Sequence, residues 1–102
     1  MKISIITVCY NSEKTIENTI LSVLSQNYID IEYIIVDGKS NDNTLYIVNK
    51  YRNKIDYIIS EPDKGIYDAI NKGILKATGE IVGILNSDDE FYENTIISKI
   101  AS

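Results

Sequence analysis

Two hydrophobic periodicities alternate along this chain, and no other feature constrains its fold as tightly. Four short apolar runs rich in β-branched residues read as strands: Ile3 to Cys9 (ISIITVC), Ile31 to Val36 (IEYIIV), Ile55 to Ile59 (IDYII) and Ile81 to Leu85 (IVGIL). Between them the spacing turns helical. Ile16, Ile20, Val23 and Leu24 form one stripe after YNSEK, with Ser12 as the expected N-cap, and a shorter helix is expected from about Asn43 to Tyr51. Ile66, Ala69, Ile70, Gly73, Ile74 and Ala77 share one helical face, Gly79 stands just past its end, and the last ten residues also read as helical. Strand followed by helix, repeated, predicts parallel strands joined by right-handed crossovers. The expected architecture is a three-layer α/β/α domain with a mainly parallel sheet in the order 3-2-1-4, because a doubly wound sheet must reverse direction.

In such a sheet a ligand sits beyond the carboxyl ends of the strands, at the reversal of strand order. That singles out four segments: YNSEK, DGKSNDN, SEPDKG and NSDDE. Composition narrows what they can do. The 102 residues fit one domain, and no histidine is present, which removes Ser-His-Asp and Cys-His catalysis and every histidine metal site. The single cysteine, Cys9, forms no internal disulfide. A net charge of −5 argues against nucleic acid or an anionic membrane held by charge, and any phosphate-bearing ligand needs a counter-charge other than basic side chains. The opening lysine and apolar run are too quickly followed by Asn11-Ser12-Glu13 for a signal peptide, and no apolar run approaches the ~18 residues of a membrane span. The expected location is cytoplasmic.

Every one of the four segments carries an acid. Aspartate is a common turn and cap residue, and Asp42 is read as a helix cap. Asp37 ends a buried apolar strand and is read as functional. Asp88 and Asp89 adjoin each other and Glu90, which is costly unless a cation or a hydroxyl-rich ligand meets them; the competing reading is a solvated turn that caps the last helix. Oxygen donors without histidine or cysteine suit Mg2+ or Mn2+. The turn after the first strand, TVCYNSEKT, contains no glycine, so neither a dinucleotide-binding glycine loop nor a P-loop is present. Cys9, with no histidine partner and acidic neighbours, is read as strand packing.

TVCYN, EYIIVDGKSNDNT and EPDKGIYDAINKGILKATGEIVGILNSDDEFY, taken together, resemble the N-terminal half of family 2 glycosyltransferases of the GT-A fold. The form EPDKGIYDAINKG is similar to enzymes that build bacterial surface polysaccharides. The resemblance implies that Thr7, Cys9, Tyr10 and Asn11 border a nucleotide base, through backbone and the Tyr10 ring. It implies that Asp37 accepts from the base, that Asp63, Lys64 and Asp68 line the nucleotide pocket, and that Asp88 faces ribose or metal. Asp89 would be the direct ligand of Mn2+ or Mg2+ on the diphosphate. Asp68 and Lys72 also stand at i, i+4, an ordinary surface pair. Gly73 would permit close packing of helix on sheet.

Members of that family are longer, and their second half carries the acceptor pocket and a catalytic base. Residues 1–102 are therefore expected to be the nucleotide-sugar-binding part of a truncated domain, inactive alone, with the base beyond Ser102. The implied reaction is inverting transfer from a nucleotide sugar, expected to be UDP-linked, to a saccharide or lipid-linked saccharide hydroxyl. The full-length protein could sit peripherally at the inner face of the membrane. The open edge beside the fourth strand is expected to favour self-association. A non-catalytic interaction module of the same fold, or a Mg2+-dependent nucleotidyltransferase, are the alternatives; the latter normally has a glycine- and Arg/Lys-rich phosphate loop after the first strand.

Overall fold

A computed structural model describes residues 1–101. Its elements run β1 (Ile3–Cys9), α1 (Ile16–Leu24), β2 (Ile31–Asp37), α2 (Thr44–Lys50), a 3₁₀ turn (Arg52–Lys54), β3 (Tyr57–Ser60), α3 (Ile66–Lys76), β4 (Ile81–Ile84) and α4 (Ile96–Ala101). Ser102, included in the expected final helix, lies outside the described residues. The sheet order is β3-β2-β1-β4, as expected, and every pairing is parallel.

β1 is central and buried along its whole length. Ile3, Ile5 and Cys9 pack with Ile16, Ile20 and Val23 of α1, Val48 of α2 and Ile97 of α4. Ile6 and Val8, on the opposite face, pack with Ile34, Val36 and Ala69 of α3. The alternation of side chains along one strand thus assigns one helix layer to each face. Register then brings Cys9 beside Asp37, and Asp37 beside Ser60, at the carboxyl edge.

Three local expectations are corrected. Ser12 does not cap α1: the helix begins at Ile16 after Thr15, without a side-chain cap. The Ser12 carbonyl accepts from the Thr15 and Ile16 amides instead, while its hydroxyl reaches Ser87 Oγ at 2.8 Å. β3 starts at Tyr57 and not Ile55, because the 3₁₀ turn delivers the chain to Asp56. There the Asp56 amide donates to the Tyr33 carbonyl, and the Tyr33 amide donates to Asp56 Oδ2, replacing a ladder rung. Gly79 is no left-handed helix cap: a Cβ there would stand 2.6 Å from Ser4 N and Ser4 Oγ. It is a point of close approach between the α3–β4 connection and β1.

That connection also carries a tie at the amino end of the sheet. The Glu32 carboxylate accepts from Ser4 Oγ (2.8 Å), the Thr78 amide (2.9 Å) and Thr78 Oγ1 (3.0 Å), with Lys2 Nζ at 3.5 Å. Burial raises the pKa of Glu32, but these donors outweigh it and leave the group below the usual carboxylate range.

Gly73 performs the packing role expected of it. A Cβ at this position would lie 2.6 Å from Ile6 Cγ2 and 3.0 Å from Ile6 Cδ1, and Ile6 is fully buried. Gly73→Ala would gain about 0.5–1 kcal/mol of helix propensity but overpack the core at about 1–3 kcal/mol. The variant is expected to be less stable by about 1 kcal/mol. Urea unfolding checks this; a stabilised variant would show that α3 can move off the sheet freely.

Candidate functional site

A cleft of about 820 Å3 opens at the carboxyl edge, where β1 leads into α1 and β4 into the NSDDE segment. Its walls come from the end of β1, the loop leading to α1, Asp42 after β2, the start of α3 and the segment after β4. Of the residues expected in the site, it gathers Cys9, Tyr10, Asn11, Asp63 and Asp88. Tyr10, 56% exposed, also lines an adjoining recess with Asp63, Gly38 and Lys39. Thr7 lies beneath, fully buried, with its hydroxyl 2.8 Å from the Tyr33 hydroxyl. Lys64, Asp68 and Asp89 are not among the lining residues.

Asp37 is 0% exposed and its carboxylate is held by its own chain. Oδ1 accepts from Ser40 Oγ (2.5 Å) and Cys9 Sγ (3.7 Å), and Oδ2 from the Ser40 amide (3.1 Å) and Ser60 Oγ (2.9 Å). The group therefore joins the ends of three neighbouring strands. Burial, followed by the charge and hydrogen bond of Asp37, pushes the Cys9 thiol well above its ordinary range. Packing, as expected, is what this cysteine does.

The loop beyond Asp37 is fastened to the loop beyond β1. The Asn11 amide donates to Ser40 Oγ (2.8 Å), and Asn11 Oδ1 accepts from the Asn41 amide (2.8 Å). Asn11 has φ 49° and Lys39 φ 64°, left-handed conformations that cost free energy outside glycine and cluster at functional sites. Gly38 faces this junction, where a Cβ would meet Asp63 Oδ2 at 2.6 Å. Asp42 is not the cap expected of it, since Asn43 holds the N-cap position of α2; from one residue earlier its carboxylate accepts from the Thr44 amide at 2.9 Å and from the Glu13 amide at 3.3 Å. Desolvation raises its pKa; the Thr44 and Glu13 donors prevail and hold it low.

At the head of α3, Asp63 Oδ1 accepts from the Gly65 amide (3.1 Å) and Asp68 Oδ2 from the Lys64 amide (2.9 Å). Asp68 also pairs with Lys72 at 3.5 Å, the surface pair expected at i, i+4. The Lys64 amide, with Lys72 nearby, keeps Asp68 below the usual carboxylate range.

The electrostatics of the cleft follow from its lining. Glu13, Asp42, Asp63 and Asp88 supply carboxylates, against the ammonium of Lys14. Among the described residues, no group of three or more His, Cys, Asp or Glu is gathered to hold an ion. The donor set nevertheless fits a hard divalent cation that completes its shell with water and phosphate oxygens, for which one or two carboxylates suffice. Asn86 Oδ1, at the cleft wall, is a buried acceptor with no hydrogen-bond partner among the described residues, so the wall has oxygen to spare.

Sequence reasoning missed one device. Thr19 and Ser22 on α1, and Gln26 just past its end, hold the segment after β4. Thr19 Oγ1 donates to the carbonyls of Ser87 (2.9 Å) and Asp89 (2.5 Å), and Ser22 Oγ accepts from the Phe91 amide (3.1 Å). Gln26 donates to the Glu93 carbonyl (2.8 Å) and accepts from the Ile97 amide (3.0 Å). The signal was available: small polar residues three and four apart, beside an apolar stripe.

Fold and cleft together define a Rossmann-like α/β domain with its main cleft at the carboxyl edge of a parallel sheet, where such folds place their ligands. Residues 4–101 match Glycosyl transferase family 2, and the chain belongs to that family. It is 35% identical over 100 residues to the Escherichia coli UDP-Glc:alpha-D-GlcNAc-diphosphoundecaprenol beta-1,3-glucosyltransferase WfgD, covering 97% of this chain and 40% of that protein. The crystal structure of S. aureus TarS in complex with UDP-GlcNAc superposes with a TM-score of 0.91 at 34% identity, over 99% of this chain and 30% of that one. The mannosyltransferase of Pyrobaculum calidifontis, in complex with GDP-Man and Mn2+, gives a TM-score of 0.84 at 26% identity, over 91% and 29%. The sheet order and flanking helices are those of the Rossmann-like GT-A fold. The chain spans well under half the length of these proteins.

The burial of Cys9 beside Asp37 has a direct consequence. Iodoacetamide at pH 8 is expected to leave the folded chain unmodified and to label it once denatured, as read by intact mass. Rapid labelling of the native chain would show that the β1–β2 junction opens.

Proposed function

We propose that this chain binds the donor of an inverting, metal-dependent glycosyltransferase, with a UDP-sugar as donor. The acceptor is the hydroxyl of a saccharide or lipid-linked saccharide in surface-polysaccharide synthesis. The observation that carries the reading is a cleft with abundant carboxylates and little positive charge, in a family 2 chain similar to a protein solved with UDP-GlcNAc. A diphosphate enters such a cleft only with a cation. The E. coli relative, whose name pairs UDP-Glc with a diphosphoundecaprenol-linked sugar, supports the donor and a lipid-linked acceptor.

In this reading the base lies against the Tyr10 ring, bordered by Cys9 and Asn11 and backed by Thr7. An imino hydrogen of the base reaches Asp37 by displacing the Ser40 hydroxyl. Asp63 lines the pocket, and Lys64 and Asp68 act from the head of α3. Asp88 and Asp89 hold the Mn2+ or Mg2+, which would supply positive charge where the departing diphosphate develops its negative charge. These residues account for the donor side; none is assigned as the base that deprotonates the acceptor. Among the described residues, no helix is long and apolar enough to cross a membrane.

The test is calorimetric titration of UDP with and without Mn2+. Binding is expected to be weak without the cation and at least several-fold tighter with it. Asp89→Asn should lose that gain, whereas Glu80→Gln, at the far end of the sheet, should keep it. An undiminished gain in Asp89→Asn with a loss in Asp88→Asn would move the ligand to Asp88. Loss in neither variant would remove the NSDD segment from the site.

The partner reading extends to a second copy of the chain. β4 pairs only with β1 in the described sheet, and Val82 and Ile84 are 41% and 42% exposed along it. An open, apolar edge is a template for strand pairing. Sedimentation velocity is expected to show concentration-dependent association that Val82→Lys weakens; a monomer at all concentrations would refute it.

A further inference from the structure

We propose that Thr19 of α1 is a positioning residue for the acidic turn after β4, and that its hydroxyl sets the cation affinity of Asp88 and Asp89. The inference rests on the donor-site reading above but on separate observations. Thr19 is 1% exposed, so its hydroxyl must find partners within the protein. It offers one proton, and two carbonyls of the turn, Ser87 O at 2.9 Å and Asp89 O at 2.5 Å, stand nearer to it than the Thr15 carbonyl of its own helix at 3.4 Å. Those carbonyls flank Asp88, so one buried hydroxyl governs the backbone on both sides of the acid that lines the cleft.

Two further hydrogen bonds shape the same turn. The Asp89 amide donates to the Asn86 carbonyl (3.0 Å), closing the turn, and the Ser87 hydroxyl meets Ser12 Oγ (2.8 Å) on the other wall of the cleft. Two adjacent carboxylates repel each other, and an unrestrained turn would swing them apart into solvent. Holding both flanking carbonyls confines Asp88 and Asp89 to one arrangement before any ion arrives. A preorganised site forgoes part of the ordering cost of binding. Glu90 follows the second clamped carbonyl, and the next amide, that of Phe91, donates to Ser22 Oγ (3.1 Å), so α1 also holds the exit of the turn.

Thr19→Val removes the hydroxyl and keeps the shape; Thr19→Ser keeps the hydroxyl. Val48→Ala, a core change on α2 remote from the turn, controls for general loss of stability. Two quantities are measured on the intact chain: amide hydrogen exchange at Ser87, Asp88 and Asp89, and the affinity for Mn2+ alone and for UDP with Mn2+. In Thr19→Val the turn amides should exchange faster while β1 amides do not, and Mn2+ should bind about tenfold more weakly, as loss of a hydrogen bond worth about 1.4 kcal/mol would give. Thr19→Ser should restore both. UDP affinity without metal should be unchanged. Exchange in Thr19→Val equal to wild type, or loosened equally by Val48→Ala, overturns the positioning role. A loosened turn with wild-type Mn2+ affinity overturns the link to the cation. If wild type itself gains nothing from Mn2+, the donor-site reading falls and takes the cation half with it, while the exchange data still decide whether Thr19 holds the turn.

Discussion

β1 is hydrogen-bonded on both edges and covered on both faces, and everything else in the fold is arranged around that strand. A strand so placed cannot leave a backbone group unpaired without a penalty of about 1–3 kcal/mol. Parallel register with β2 and β4 is therefore enforced: β1, β2 and β3 end at one level, and β4 stops short of it, opposite Ile6. The cleft is the unavoidable gap above that level, where the order reverses and the chains to either side turn away.

What makes the gap a defined site is the traffic of hydrogen bonds between loops that are far apart in sequence. Asn11 holds Ser40 and Asn41; Ser12 meets Thr44 and Ser87; Thr19 holds Ser87 and Asp89. The segment after β1 stands at the centre of these ties, and its turn contains the left-handed Asn11. Asp37 plays the matching part below, with protein donors on both oxygens. A glycine-rich phosphate loop would be mobile and would rely on its amides. Here the backbone is committed to its own neighbours, and the ligand is left with side chains and, in the proposed reading, a cation.

The layer architecture and strand order were legible because they depend on periodicity over many residues: ISIITVC reads as a covered strand and is buried throughout, and the α3 stripe meets the sheet through Ala69 and Gly73. Gly73 was legible for the same reason, as the small member of that stripe. Boundaries were not. Ser12 looks like a cap, but its hydroxyl is drawn across the cleft by Ser87, a partner 75 positions away. Asp56 stands in for a ladder partner, which no local pattern announces. In the site, the acids drew attention and the neutral donors did not. Thr19 and Ser22 lie beside the apolar stripe of α1 and Gln26 just past its end, and together they form a polar seam against the segment after β4. Such a seam is visible only once the segment after β4 is laid against it.

The Glu32 tie at the opposite end of the sheet has a consequence of another kind. Its folded pKa is depressed, so its stabilising effect is complete above the unfolded carboxyl value of 4.5 and fades as the pH falls through the folded value. The groups involved, Ser4, Thr78 and Lys2, share no residue with the cleft lining. One part of the acid response thus lies at the opposite pole of the sheet from the cleft, while Asp42 and Asp68, also held low, carry another part at the cleft end.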